Sequence, residues 1–159
     1  ELRNALPLIW NPELGAYDAK DLRTGKFAGV LGSGAFLAYL AGASNPELDA
    51  QLMRVWDAVR YGIPSADPEA AIFDPRRYWR GPTWPVVNAL MAIGLRDAGR
   101  HDLEARLRSE TAELIQKHGF FEYFDPTDAT PCGGDNFTWT AAIWLTWAGR
   151  DLEQARGAA

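Results

Sequence analysis

Glu122 is the residue best placed for acid–base chemistry, because it stands alone among rings in Phe120-Phe121-Glu122-Tyr123-Phe124-Asp125-Pro126. Four aromatic side chains around one carboxylate strip water from it and favour its uncharged form, which suits a general base or acid near neutral pH. The plainer alternative is an exposed carboxylate with the rings packed on the other side. Asp125 and Asp128 follow in a turn, where Asp serves the backbone. A second stretch, Tyr78-Trp79-Arg80-Gly81-Pro82-Thr83-Trp84-Pro85, follows Arg76 and Arg77 and leads into an apolar run. An Arg between two Trp can hydrogen-bond hydroxyls while the indoles stack on the C–H face of a sugar, and Gly81 allows close backbone approach. The structural alternative is a hydrophobic staple with Arg80 paired to a carboxylate. A third stretch, Gly133-Gly134-Asp135-Asn136-Phe137-Thr138-Trp139-Thr140, is a Gly-rich approach to a helix, with Asp or Asn as its N-cap. Free N–H groups there could hold an anion, but the Lys and spacing of a phosphate loop are missing.

The elements that must position these stretches are mainly helices. Leu48, Leu52, Val55, Trp56 and Val59 form a stripe of helical period over Pro46 to Arg60, with Asn45 as N-cap and Pro46 at the first helical position. Asp102 to His118 repeats the style with Leu103, Leu107, Thr111, Leu114 and Ile115. Both are expected as outer helices with one wet side. Ser33–Leu40, Trp84–Leu95 and Phe137–Trp147 carry no charge and are expected as helices buried all round. Turns from buried to amphipathic helices are short, at Gly42–Asn45 and Gly99–His101. The returns, Tyr61–Gly81 and Gly119–Asn136, are long and must emerge at one end. A repeat of roughly 50 residues then describes hairpin units of an α/α toroid, about half of one. Before residue 33, Leu2–Trp10 is expected as a helix stopped by Asn11-Pro12, and Gly15–Phe27 as a hairpin-like excursion turning at Thr24-Gly25.

Composition narrows the chemistry. The 159 residues carry 16 basic and 21 acidic side chains, net charge -5, which argues against nucleic acid as a partner. Hydrophobic residues at 47% suffice for a core, and no apolar run is long enough to span a membrane. The single cysteine, Cys132, excludes a disulfide framework and has no nearby His or Lys to activate it. His101 and His118 form no metal spacing, Asp125, Asp128 and Asp135 do not match a calcium loop, and no cofactor or metal is expected. One cysteine and no leader pattern point to the cytoplasm. A start at Glu1 without Met is expected for a processed, truncated or excised segment. Seven Trp, seven Phe and five Tyr are present, and nine of these rings fall in the three stretches above, as sugar sites gather them.

YWRGPTW before a buried helix, GFFEYFDP after an amphipathic one and a Gly-rich step into FTWTAAIWL resemble the C-terminal part of glycoside hydrolase family 63. The likeness is to its mannosylglycerate hydrolase and α-glucosidase-like members, and WNPELGAYDAKDLRTGK and Pro64-Ser65 extend it over most of Leu6 to Leu145. The resemblance implies an (α/α)6 barrel with a sugar pocket at one end and inversion by two carboxylic residues. It assigns the base to Glu122 and the pocket wall to Tyr78, Trp79, Arg80, Gly81 and Trp84, with Tyr123 and Trp139 beside them. The family's acid is an Asp followed by Asn or Ser and Pro, and neither Asp18 nor Asp21 matches it.

Residues 1–159 are thus expected to be one segment, the C-terminal half of an all-α (α/α)6 glycosidase domain. The expected reaction is inverting hydrolysis of a small α-glucoside or α-mannoside such as a glycosylglycerate. The expected partners are a small carbohydrate and either the missing N-terminal half or a second copy, since half a toroid leaves apolar flanks open. The rival readings are a non-catalytic carbohydrate-binding or structural remnant, and a lyase or phosphorylase on the same toroid. A lyase would want Tyr and His near a basic subsite, and a phosphorylase an anion pocket.

Overall fold

The computed structural model describes residues 2–150; the remainder of the expected 1–159 segment lies outside the described residues. In chain order the helices are α1 (Leu2–Ala5), α2 (Ser33–Phe36), α3 (Pro46–Asp57), α4 (Pro85–Asp97), α5 (His101–His118) and α6 (Thr138–Ile143). Four short strands, β1 (Trp10–Asn11), β2 (Ala16–Tyr17), β3 (Tyr123–Phe124) and β4 (Pro131–Cys132), form two antiparallel pairs.

The amphipathic helices form as their patterns dictate. Asn45 Oδ1 accepts from the Leu48 N–H at 2.9 Å, Pro46 opens α3, and Leu48, Leu52, Val55 and Trp56 are buried. In α5 the buried face runs through Leu103, Leu107, Thr111, Leu114 and Ile115, and Gly119, at positive φ, ends it. Between them α4 buries Val87, Met91 and Leu95. Gly94 lets the chain at Tyr39–Leu40 lie directly on α4, since a Cβ there would be 2.7 Å from the Leu40 nitrogen.

The charge-free runs differ from expectation in two respects. Ser33–Leu40 is α-helical only to Phe36 and continues as a 3₁₀ turn over Leu37–Ala41, while α6 passes into a π-helical turn at Trp144–Ala148. Nor are these runs buried all round: Leu40, Leu90 and Ile93 are exposed, and Leu145 is 66% exposed. Leu90 and Ile93 are covered only in part, because α6 and the turn after it leave an open groove against α4 lined by Ile143 and Trp147. The N-terminal region is also more elaborate. Leu2–Ala5 continues as a 3₁₀ turn over Leu6–Ile9, and β1 pairs with β2 in a hairpin the periodicity did not predict. The expected Gly15–Phe27 excursion takes in β2 and is closed by a Lys20–Phe27 bridge with Gly25 at positive φ.

Both long returns emerge at one end and are sewn together there. Thr83 exchanges backbone hydrogen bonds with Phe124 at 2.9 and 3.0 Å and bridges to Pro64 on its other side. Phe124 pairs onward with Pro131, so four segments share one small patch of sheet. From below, α5 contributes Glu110, whose carboxylate accepts from Trp56 Nε1, the Gly62 N–H and Arg106 Nε at 2.7–2.8 Å. Asn88 of α4 does the same for the Ile63 N–H and donates to Thr83 and Thr111. Each of these buried side chains has its partners, as burial requires.

Candidate functional site

The sewn loops deliver a ladder of rings. Trp79 lies flat on Trp84, with ring centroids 4.1 Å apart and planes 5° from parallel, and Trp84 stacks on Tyr123 at 4.8 Å. Tyr78 closes the side edge-on, 5.0 Å from Trp84 and 5.7 Å from Tyr123. Trp84 is only 2% exposed, whereas Tyr78 and Trp79 are each about half exposed, so the ladder has a buried rung and open outer ones. Tyr78 has φ of +39°, an uncommon conformation for a residue with a Cβ, and its carbonyl accepts from Trp84 Nε1 at 3.2 Å. The strain is held by the very ring it packs against.

Glu122 stands at the Tyr123 end. Its N–H donates to the Gly134 carbonyl at 3.0 Å, and its Oε2 accepts from the Gly134 N–H at 3.4 Å. Gly133, at φ of +73°, makes this possible, because a Cβ there would be 2.6 Å from Glu122 Oε2 and 2.8 Å from Tyr123 Cε1. The expectation of four enclosing rings is corrected here. Phe121 and Phe124 turn inward onto Tyr61 and Leu114, Phe120 is exposed, and Tyr123 alone lies against the same glycine as the carboxylate. Alternating strand residues cannot all face one side. The Tyr123 phenol is pushed up from its ordinary value by burial, helped by Cys132, Glu122 and Tyr78 nearby. It therefore stays protonated and able to donate.

The other expected site residues are spread. Arg80 Nε donates to the Ile72 carbonyl at 3.0 Å, holding the loop and not a carboxylate. Gly81 is buried against the Asp74 carbonyl, which a Cβ would approach to 2.4 Å, so its smallness serves chain packing. Trp139 is 58% exposed and meets Phe137 edge-on at 5.7 Å, apart from the ladder. Neither Asp135 nor Asn136 caps α6, whose N-cap is Phe137 without a side-chain bond. The Gly134 N–H, considered above for an anion, is turned to Glu122.

Sequence reasoning passed over several residues that shape the site. Arg76 Nε pairs with Asp125 at 3.0 Å and its guanidinium reaches Asp128 at 2.7 Å, tying the Tyr78–Trp84 loop to the Glu122 turn. Asp125 is almost fully buried, and Asp-Pro-Thr-Asp signalled a turn but not this cross-link. At the Trp79 end lies a cleft of about 420 Å³, walled by Tyr17, Asp18, Ser65 and Trp79 among others. Among the described residues no group of His, Cys, Asp and Glu is arranged to hold a metal ion, and no helix is long and apolar enough to cross a membrane.

Inner and outer helices joined through one sewn rim, with a ladder of stacked rings upon it, form part of an α/α toroid. The chain belongs to the mannosylglycerate hydrolase MGH1-like glycoside hydrolase family, whose model matches residues 1–140. It is 40% identical over 146 residues to the mannosylglycerate hydrolase of Thermus thermophilus, covering 89% of this chain and 35% of that one. The crystal structure of a family 63 mannosylglycerate hydrolase from Thermus thermophilus in complex with glucose superposes with a TM-score of 0.84 at 37% identity, over 91% of this chain and 38% of the other. Neutral trehalase from Saccharomyces cerevisiae, at 18% identity and a TM-score of 0.66 over 90% of this chain and 28% of its own, shares the fold. The fold is thus the all-α toroid expected, and the chain spans about a third of the length of the Thermus relative.

Proposed function

We propose that this chain is the C-terminal part of an (α/α)6 catalytic domain that hydrolyses an α-glycosidic bond with inversion, acting on a small α-mannoside or α-glucoside of glycerate. Glu122 is the general base: it takes a proton from water as that water attacks the anomeric carbon, while an Asp from outside these 159 residues protonates the leaving oxygen. Tyr78, Trp79 and Tyr123 shape the sugar's surroundings, and Trp84 backs them. The glycerate substrate class is supported by relatives that are mannosylglycerate hydrolases.

The observation that carries this reading is the setting of Glu122. Its carboxylate is half-buried, has one long backbone contact and adjoins the foot of the aromatic ladder, so most of its lone pairs remain available to a water. The test is Glu122→Gln in the protein at the length of its natural gene product. Turnover of mannosylglycerate is expected to fall by about 10²–10⁴-fold with the melting temperature unchanged. Near-normal turnover would refute the assignment.

A further inference from the structure

The loop that presents Tyr78 and Trp79 holds its own shape. The Asp74 N–H donates to the Arg80 carbonyl at 2.8 Å, and the Arg77 and Arg80 N–H groups close turns within that span at 3.1 and 2.8 Å. Arg80 Nε and the Gly81 N–H then fasten the end of the loop to the Ile72 carbonyl and Ser65 Oγ, each at 3.0 Å. None of these bonds reaches the β3–β4 hairpin beside Glu122. The rings do reach it, through Tyr123, but stacked and edge-on aromatics slide over one another at little cost. Ring contact alone therefore leaves the register between this loop and the carboxylate loose.

Arg76 supplies the directional tie. Its Nε donates to Asp125 Oδ2 at 3.0 Å, and one terminal nitrogen donates to Asp128 Oδ2 at 2.7 Å and to Thr130 Oγ1 at 3.3 Å. The receiving turn is itself well fixed. Asp125 is buried, its Oδ1 accepts from the Thr127 N–H and hydroxyl, and its N–H donates to the Thr130 carbonyl. A planar guanidinium bonded to three groups sets orientation as well as distance, which a point charge does not. Arg77, next in sequence, is exposed and makes no ion pair among the described residues, so the tie belongs to one side chain and not to the charge of the loop. We propose that Arg76 is a positioning residue for hydrolysis: without touching the substrate, it sets where Tyr78 and Trp79 hold the sugar relative to the Glu122 carboxylate. This inference rests on the reading of Glu122 as the base.

The test is steady-state kinetics on mannosylglycerate with the protein at natural length, in Arg76→Ala, Asp128→Asn and Arg77→Ala. Arg76→Ala removes the tie but opens Asp125 to water on the side where Arg76 is exposed, so the fold is kept. Its kcat is expected to fall about ten- to hundredfold, the cost of misplacing reacting groups by about 1 Å, with KM within about threefold of wild type. Guanidinium ion, added below denaturing concentration, is expected to restore part of the lost kcat by taking the place of the missing side chain. A merely weakened fold would lose activity further in it. Asp128→Asn keeps an acceptor for the Thr130 N–H but loses the ion pair, and is expected to lower kcat less. Arg77→Ala is expected to match wild type. Wild-type kcat in Arg76→Ala overturns the proposal, as does a loss that guanidinium leaves untouched or that Arg77→Ala shares. Should Arg76→Ala not fold, Asp128→Asn decides: wild-type kcat there overturns it. The clamp and the base fail separately. An inactive Glu122→Gln beside a fully active Arg76→Ala removes the clamp and leaves the base. A guanidinium-dependent Arg76→Ala beside a fully active Glu122→Gln does the reverse. No turnover of either mannosylglycerate or glucosylglycerate by wild type overturns both.

Discussion

Two regions of this molecule use carboxylates in opposite ways. In the seam beneath the long loops, Glu110 accepts three hydrogen bonds at 2.7–2.8 Å, and Asp125 accepts from Arg76 Nε, the Thr127 N–H and the Thr127 hydroxyl. At the tip of the 119–137 return, Glu122 has a single contact at 3.4 Å from the Gly134 N–H. A carboxylate saturated with donors pins whatever touches it. One left under-bonded keeps lone pairs for a water. The seam carries the fold, and the chemistry proposed above falls at the tip.

That contrast can be broken at either end. The largest effect on stability belongs to Glu110→Ala, which strands the Trp56 indole N–H and the Gly62 N–H in the interior and leaves Arg106 with Asp57 alone. It is expected to lower unfolding free energy by about 2–6 kcal/mol in denaturant titration, from two buried donors left unpaired at about 1–3 kcal/mol each. Gly133→Asn sharpens the other end. Asn tolerates positive φ, so the turn survives, but its Cβ displaces the Glu122 carboxylate. Turnover is expected to fall roughly ten- to hundredfold with KM little changed, and steady-state kinetics beside a thermal melt separates this from unfolding. The smallest effect concerns acid. Burial alone would raise the Asp67 carboxyl, but hydrogen bonds from Arg54 and the Glu69 N–H outweigh it and hold it low; Thr130 does the same for Asp128. A depressed carboxyl gives stability that is fully present above its unfolded pKa and is lost as pH falls through the folded value. Melting temperature is expected to hold down to about pH 5 and to decline below about pH 4.

Much of this architecture was legible in the residues. The stripe over Leu48–Trp56, the Asn45 cap and the Pro46 start define α3 because local periodicity and a side-chain cap act within a few residues. The clustering of rings marked the stretches that hold Tyr78, Trp79, Trp84 and Tyr123, though not that these rings would stack on one another. What stayed hidden depends on partners distant in sequence. Thr83 gave no sign of joining Pro64 to Phe124, and nothing local announces that Asp18 pairs with Asn11 across a two-residue strand. Gly133 suggested an approach to a helix, because its role is set by the space that Glu122 occupies. The charge-free helices misled for a physical reason too: apolar composition says a face needs covering but not how fully, and at Leu90 and Ile93 the neighbouring α6 leaves an open groove.

The central claim is that Glu122 activates water, and chemical rescue tests it most directly. In Glu122→Ala at natural length, azide can attack the anomeric carbon without a base. The expected result is recovery of mannosylglycerate cleavage with added azide and formation of the inverted, β-configured glycosyl azide. A folded Glu122→Ala that azide does not revive, or an azide product of retained configuration, would contradict the account.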